Sequence, residues 1–153
     1  MRLRGLLVAA LAALAIPSAA AARPAKAHHR DHARAGIVGT WSVTVTPAGA
    51  PAFPALLTLT RGGGLIETES DAPGTGLGAW TRIGGNRFAL AFQSFIFTPT
   101  GAPGGHVVVR SVFTLTNKTL SGPFKFDVFD PAGNKVQSGS GTATATRFVI
   151  PPF

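Results

Sequence analysis

The chain contains no cysteine, no tyrosine, one methionine, two tryptophans and only six acidic residues. Without cysteine there is no disulfide to staple the fold and no lipid-anchored lipoprotein. Helical periodicity is missing from Gly36 onward, so an α-helical domain is excluded there. Long apolar runs are also missing. The longest, "LLVAALAALAIP" near the start, falls short of the about 20 residues that cross a bilayer.

That run lies between the basic residues Arg2 and Arg4 and the small-residue stretch "SAAAA". Basic, apolar and small in that order is the layout of a secretory signal peptide, here residues 1–22, with cleavage after Ala20 or Ala22. Residues 23–35, "RPAKAHHRDHARA", carry four bases and one acid with no apolar pattern, and read as a disordered basic linker. The formal charge of +8 therefore sits mostly outside the region 36–153, which holds eight bases against five acids. Those bases are scattered, and a nucleic-acid surface needs them clustered beside stacking aromatics. No nucleic-acid partner is expected, nor a membrane once the leader is removed.

What the region 36–153 does have is Val, Thr, Phe and Ile, punctuated by Gly and Pro at short intervals. Eight strands are predicted: 37–46, 53–61, 65–70, 77–83, 87–98, 106–116, 120–130 and 135–148. "RGGGL", "IGGNR", "TNKT" and "DPAGNK" are tight-turn sequences. "TPAGAPAF", "DAPGTGLG" and "TPTGAPGGH" are longer and belong at an open rim. Short hairpins in succession predict an antiparallel meander, and closing eight strands into a barrel removes both edges. A barrel of this size encloses side chains or one small ligand.

Parity assigns the faces. Trp41, Val43 and Val45 alternate with Ser42, Thr44 and Thr46, while Val107, Val109, Phe113 and Leu115 form one face of their strand. In the last strand, Ser138, Ser140, Thr142, Thr144 and Thr146 alternate with Gly139, Gly141, Ala143 and Ala145. If the hydroxyls face water, the interior is lined there by small residues; these leave room for a ligand or ease barrel bending. "RFALAFQSFIF" breaks the alternation. Either a bulge at Gln93-Ser94 resets it, or Phe95 and Phe97 point outward and serve self-association.

Gly39-Thr40-Trp41 at the head of the first strand, with Arg147 in "ATRF" at the end of the last, resembles the short signature of the calycin barrels: lipocalins, fatty-acid-binding proteins and avidins. The resemblance implies that Trp41 packs at the closed end and that Arg147 lies across it. A guanidinium on an indole face is physically sound. The layout "GTW…ETES…GxW…GTATATR" is also similar to small secreted bacterial β-barrel proteins, which bring no activity with them. There are departures. The lack of tyrosine removes the arginine-x-tyrosine pair of many fatty-acid-binding proteins and the tyrosine of a biotin-type site; Phe148 and Val149 follow Arg147.

Chemistry-bearing residues are few. Glu67 and Glu69 in "LIETESD" share one strand face, an arrangement typical of a solvated face rather than of an acid–base pair from opposed elements. His106 and Arg110 share another face. His28, His29 and His32 could hold a transition metal only weakly from a linker. "PGTGLG" lacks the strand-then-helix setting of a phosphate loop. No catalytic residue, metal or cofactor is assigned.

The expectation is a secreted barrel that binds a small apolar ligand through Trp80, Phe92, Phe113 and Phe126, with Arg110 and Glu67 as polar contacts and Trp41 and Arg147 closing the floor. Two alternatives stand beside it. One is a cyclase or isomerase of the allene-oxide-cyclase or dirigent type, which needs an inward His106, Arg110 or Glu67. The other is a filled barrel serving as an envelope or surface interaction module.

Overall fold

A computed structural model describes residues 36–72 and 74–153. Residues 1–35, read from the sequence as leader and linker and including His28, His29 and His32, lie outside the described residues. The domain is all-β. Eight strands run β1 Gly39–Pro47, β2 Phe53–Leu59, β3 Gly64–Glu69, β4 Thr75–Gly84, β5 Arg87–Phe97, β6 Pro103–Thr116, β7 Thr119–Phe129 and β8 Lys135–Arg147. Each pairs antiparallel with its neighbours in sequence, and β1 pairs with β8, closing the barrel. All eight fall within three residues of the strands predicted from the sequence.

The two ends of the barrel differ because their turns differ. At one end the β4–β5 and β6–β7 connections are tight; Asn117 and Lys118 both take positive φ (56° and 112°), the conformation of a two-residue hairpin that matches strand twist. The same end holds the fully buried Ile37, Trp41, Leu59, Phe88 and Leu120, with Leu65 at 2% exposure, which together form a solid floor. At the other end lie the longer β1–β2, β3–β4 and β5–β6 connections, which leave an open rim. Asp130 closes the β7–β8 turn there, accepting the Asn134 backbone N–H at 2.8 Å and its side-chain amide at 3.1 Å. Those bonds, the side-chain one first, hold the Asp130 pKa below its ordinary value.

The hydroxyl face of β8 is outward and its glycines and alanines are inward. The space beside the glycines is partly taken. Gly141 lies opposite Phe124 and Gly139 opposite Phe126 across the β7–β8 ladder. The two rings lie over the glycines so closely that a Cβ on Gly141 would come within 2.7 Å of the Phe124 ring. Small residues here seat aromatic neighbours, an arrangement known to pin register.

β5 has no bulge at Gln93-Ser94. The ladder to β6 runs unbroken through Gln93, Ser94 and Phe95, and shifts only between Ile96 and Phe97. Parity therefore carries the buried Ser94 inside, and Phe95 and Phe97 remain exposed on the outer wall.

Candidate functional site

Above the floor the barrel is hollow. A cavity of about 360 Å³ reaches from Leu57 and Phe113 up to Pro47, Phe53 and Asp71 at the rim. Cavities of a few hundred Å³ with mostly apolar walls are the usual size for small-molecule sites. Phe92, Phe113 and Phe126, expected as ligand contacts, all line it, and so does Glu67.

Two of the expected contacts lie elsewhere. Trp80 is buried below the cavity, edge-on to Phe88 with ring centroids 6.0 Å apart, and its Nε1 donates to the Thr60 carbonyl at 2.9 Å. It braces the β2–β3 turn rather than facing a ligand. Arg110 is on the outside of β6, because the inward positions of that strand are Val107, Val109, Ser111 and Phe113. Its guanidinium pairs with Asp127 on β7, which also accepts from Ser138 Oγ at 2.7 Å and lies 3.7 Å from Lys135 Nζ. The Ser138 bond first, then that from Arg110, lowers the Asp127 pKa. His106 shares the outward face and stacks on Phe129 at 4.8 Å.

Trp41 and Arg147 meet at the floor. The guanidinium carbon lies 4.1 Å from the Trp41 ring centroid, and the two terminal nitrogens donate to the carbonyls of Val38 at 2.6 Å and Gly36 at 2.5 Å. The indole Nε1 donates to the Ile37 carbonyl at 2.9 Å. Gly39 has φ +127°, and any Cβ there would collide with the guanidinium. The G-x-W and the arginine are thus one interlocked unit, with glycine required where the cation crosses the backbone. Burial lowers the Arg147 pKa from its ordinary value.

The acidic wall was not legible as such in the sequence. Glu67 belongs to the inward face of β3 with Leu65, while Ile66 is 47% exposed outside. Either face of "LIETE" offers one apolar residue, so parity alone was ambiguous. Glu67 is 5% exposed, and its Oε2 is buried with no hydrogen-bond partner among the described residues. Burial, then repulsion from Glu69 and Asp71, pushes its pKa up to about 8. Glu69 also lines the cavity, with its pKa raised by burial and then by Asp71. Phe124, Glu69 and Asp71 are cavity residues that the sequence reading did not select. For Phe124 the signal was available, since it shares parity with Phe126.

No family model, curated protein or solved structure matches this chain. The fold and the cavity therefore carry the functional reading by themselves. Among the described residues, no three His, Asp or Glu side chains are grouped to hold a metal ion.

Proposed function

We propose that this protein is an exported small-molecule carrier whose barrel binds one predominantly apolar ligand, and that its floor is of the calycin type. The observation that carries the reading is the apolar cavity of about 360 Å³, closed below by the Trp41–Arg147 floor and open toward the long loops. An interior filled to ordinary protein density has few voids larger than a water molecule. A space of this size speaks for a ligand site and against the filled-barrel alternative. The leader read at residues 1–22 supports export.

Glu67 favours one second reading. A cyclase or isomerase of the allene-oxide-cyclase or dirigent type would use an inward, protonated carboxyl as its acid, and Glu67 has that setting. The other two groups that could serve, His106 and Arg110, face outward.

The test is binding of N-phenyl-1-naphthylamine, an apolar fluorophore uncharged at neutral pH. Its emission is expected to rise with one-to-one stoichiometry. Ala143→Phe, which fills the cavity from β8, should abolish the rise while the far-ultraviolet dichroism stays that of a β-barrel. Equal emission with the folded variant would place the probe on the outside and contradict the reading.

A further inference from the structure

Among the described residues, three acids and no base line the cavity. Glu67 and Glu69 occupy successive inward positions of β3 and Asp71 continues the same parity past its end, so the carboxyls climb one wall from floor to rim. Their burial falls along the climb. Glu67 is 5% exposed, Glu69 is half-buried and Asp71 is exposed. Among the described residues they are not part of any group of three that could hold a metal ion.

The facing walls carry no titratable group among the described residues. β5 contributes Leu90 and Phe92, β6 contributes Val109 and Phe113, and β7 contributes Phe124 and Phe126. β1, β2 and β8 line the cavity with apolar residues alone. Of the inward hydroxyls, Ser111 is already satisfied, its Oγ donating to the Pro123 carbonyl at 2.9 Å, and Ser94 on β5 is buried against Gly76. Arg147 lies under Trp41 and Arg110 lies outside. Among the described residues the acidic wall thus has no internal counter-charge, and Glu67 Oε2 has no donor.

An apolar ligand alone would bury that oxygen further without supplying a donor, which is unfavourable. A neutral ligand with a hydroxyl would satisfy the oxygen and leave the column of charge unanswered. A ligand with an N–H-bearing cation answers both. The phenylalanine faces on the opposite walls also attract a cation.

We propose that the cavity selects a protonated aliphatic amine, whose ammonium donates to Glu67 Oε2 while its apolar body packs against Phe92, Phe124 and Phe126. This rests on the reading of the barrel as a ligand carrier and adds the charge of the ligand. A consequence is proton release. Glu67, with its pKa at about 8, is protonated at pH 6.5 in the free protein and ionises as the ammonium arrives. Amine affinity should therefore rise from pH 6 to 8, while an alkylamine, like the lysine side chain, stays charged throughout.

The experiment is isothermal titration with three probes of one chain length: n-octylamine hydrochloride, 1-octanol and sodium octanoate. Wild type is compared with Glu67→Gln, in buffers of different ionisation heat. Octylamine should bind at least about tenfold more tightly than 1-octanol, the size of one charge-assisted hydrogen bond. Octanoate should be the weakest. Glu67→Gln should erase the preference for the amine over 1-octanol. Close to one proton should be released per amine at pH 6.5, and none with 1-octanol.

If 1-octanol binds as tightly as octylamine, or Glu67→Gln keeps the preference, the amine assignment is overturned while the carrier reading stands. Should none of the three bind, both fall. If Glu67→Gln does not fold, the pH dependence of wild type and the Glu69→Gln variant decide. A preference that neither tightens toward pH 8 nor weakens in Glu69→Gln overturns the proposal.

Discussion

At the scale of single residues, Glu67 is the most informative side chain. Its pKa in the folded protein is about 8 against an ordinary 4.5. Between those values the folded state holds a proton that the unfolded chain has lost, so stability falls as pH rises through this window and the loss is complete above the folded pKa. The slope is roughly 1.4 kcal/mol per pH unit, on the order of 3 kcal/mol by pH 7. Glu67→Gln carries no such proton. Urea denaturation should find the variant close to wild type at pH 4.5 and more stable by a few kcal/mol at pH 8. Profiles that stay parallel across that range would mean that Glu67 is solvated. The sequence concealed this residue for a physical reason: a glutamate on a strand normally faces water, and only the packing of Leu65 into the floor fixes β3 with Glu67 inward. Trp41 was easier to read. Its alternation with Ser42 and Thr44 gave the face.

At the scale of elements, strand order and turns were plain because Gly and Asn mark positions of positive φ and Pro presets the negative φ of a turn, and the hairpins then dictate the meander. Less legible was what the β8 glycines do. A glycine opposite a phenylalanine reads equally as empty space or as a seat for the ring, and the cross-strand ladder decides for the seat at Gly139 and Gly141. Gly141→Ala should cost about 1–3 kcal/mol by overpacking against the Phe124 ring and the Thr46 backbone carbonyl, whereas the outward Ser140→Ala should stay within about 0.5 kcal/mol. Adding Phe124→Leu to Gly141→Ala should recover part of the loss, giving a coupling of about 0.5–2 kcal/mol in a double-mutant cycle followed by thermal melts. Independent, additive effects would show that the ring does not rest on Gly141. In β5, composition could not choose between a bulge and an outward phenylalanine pair. The ladder with β6 chose the latter and turned Ser94 inward, where it is buried against Gly76.

At the scale of the whole molecule, chain direction separates the two ends. Odd-numbered connections meet at the rim and even-numbered ones at the floor, where the chain also enters and leaves the barrel. Arg147 joins the first strand to the last at that floor, binding the carbonyls of Gly36 and Val38 across the closure. The result is a cup with a rigid base and an apolar interior, marked by one acidic wall. Its central claim is that the cup holds a small molecule. The most direct measurement is mass spectrometry of the protein recovered from its own host, under native and then denaturing conditions. One added small-molecule mass per chain, lost on denaturation, is the predicted result. A bare chain mass, persisting after incubation with octylamine, 1-octanol and host metabolite extract, would contradict the account.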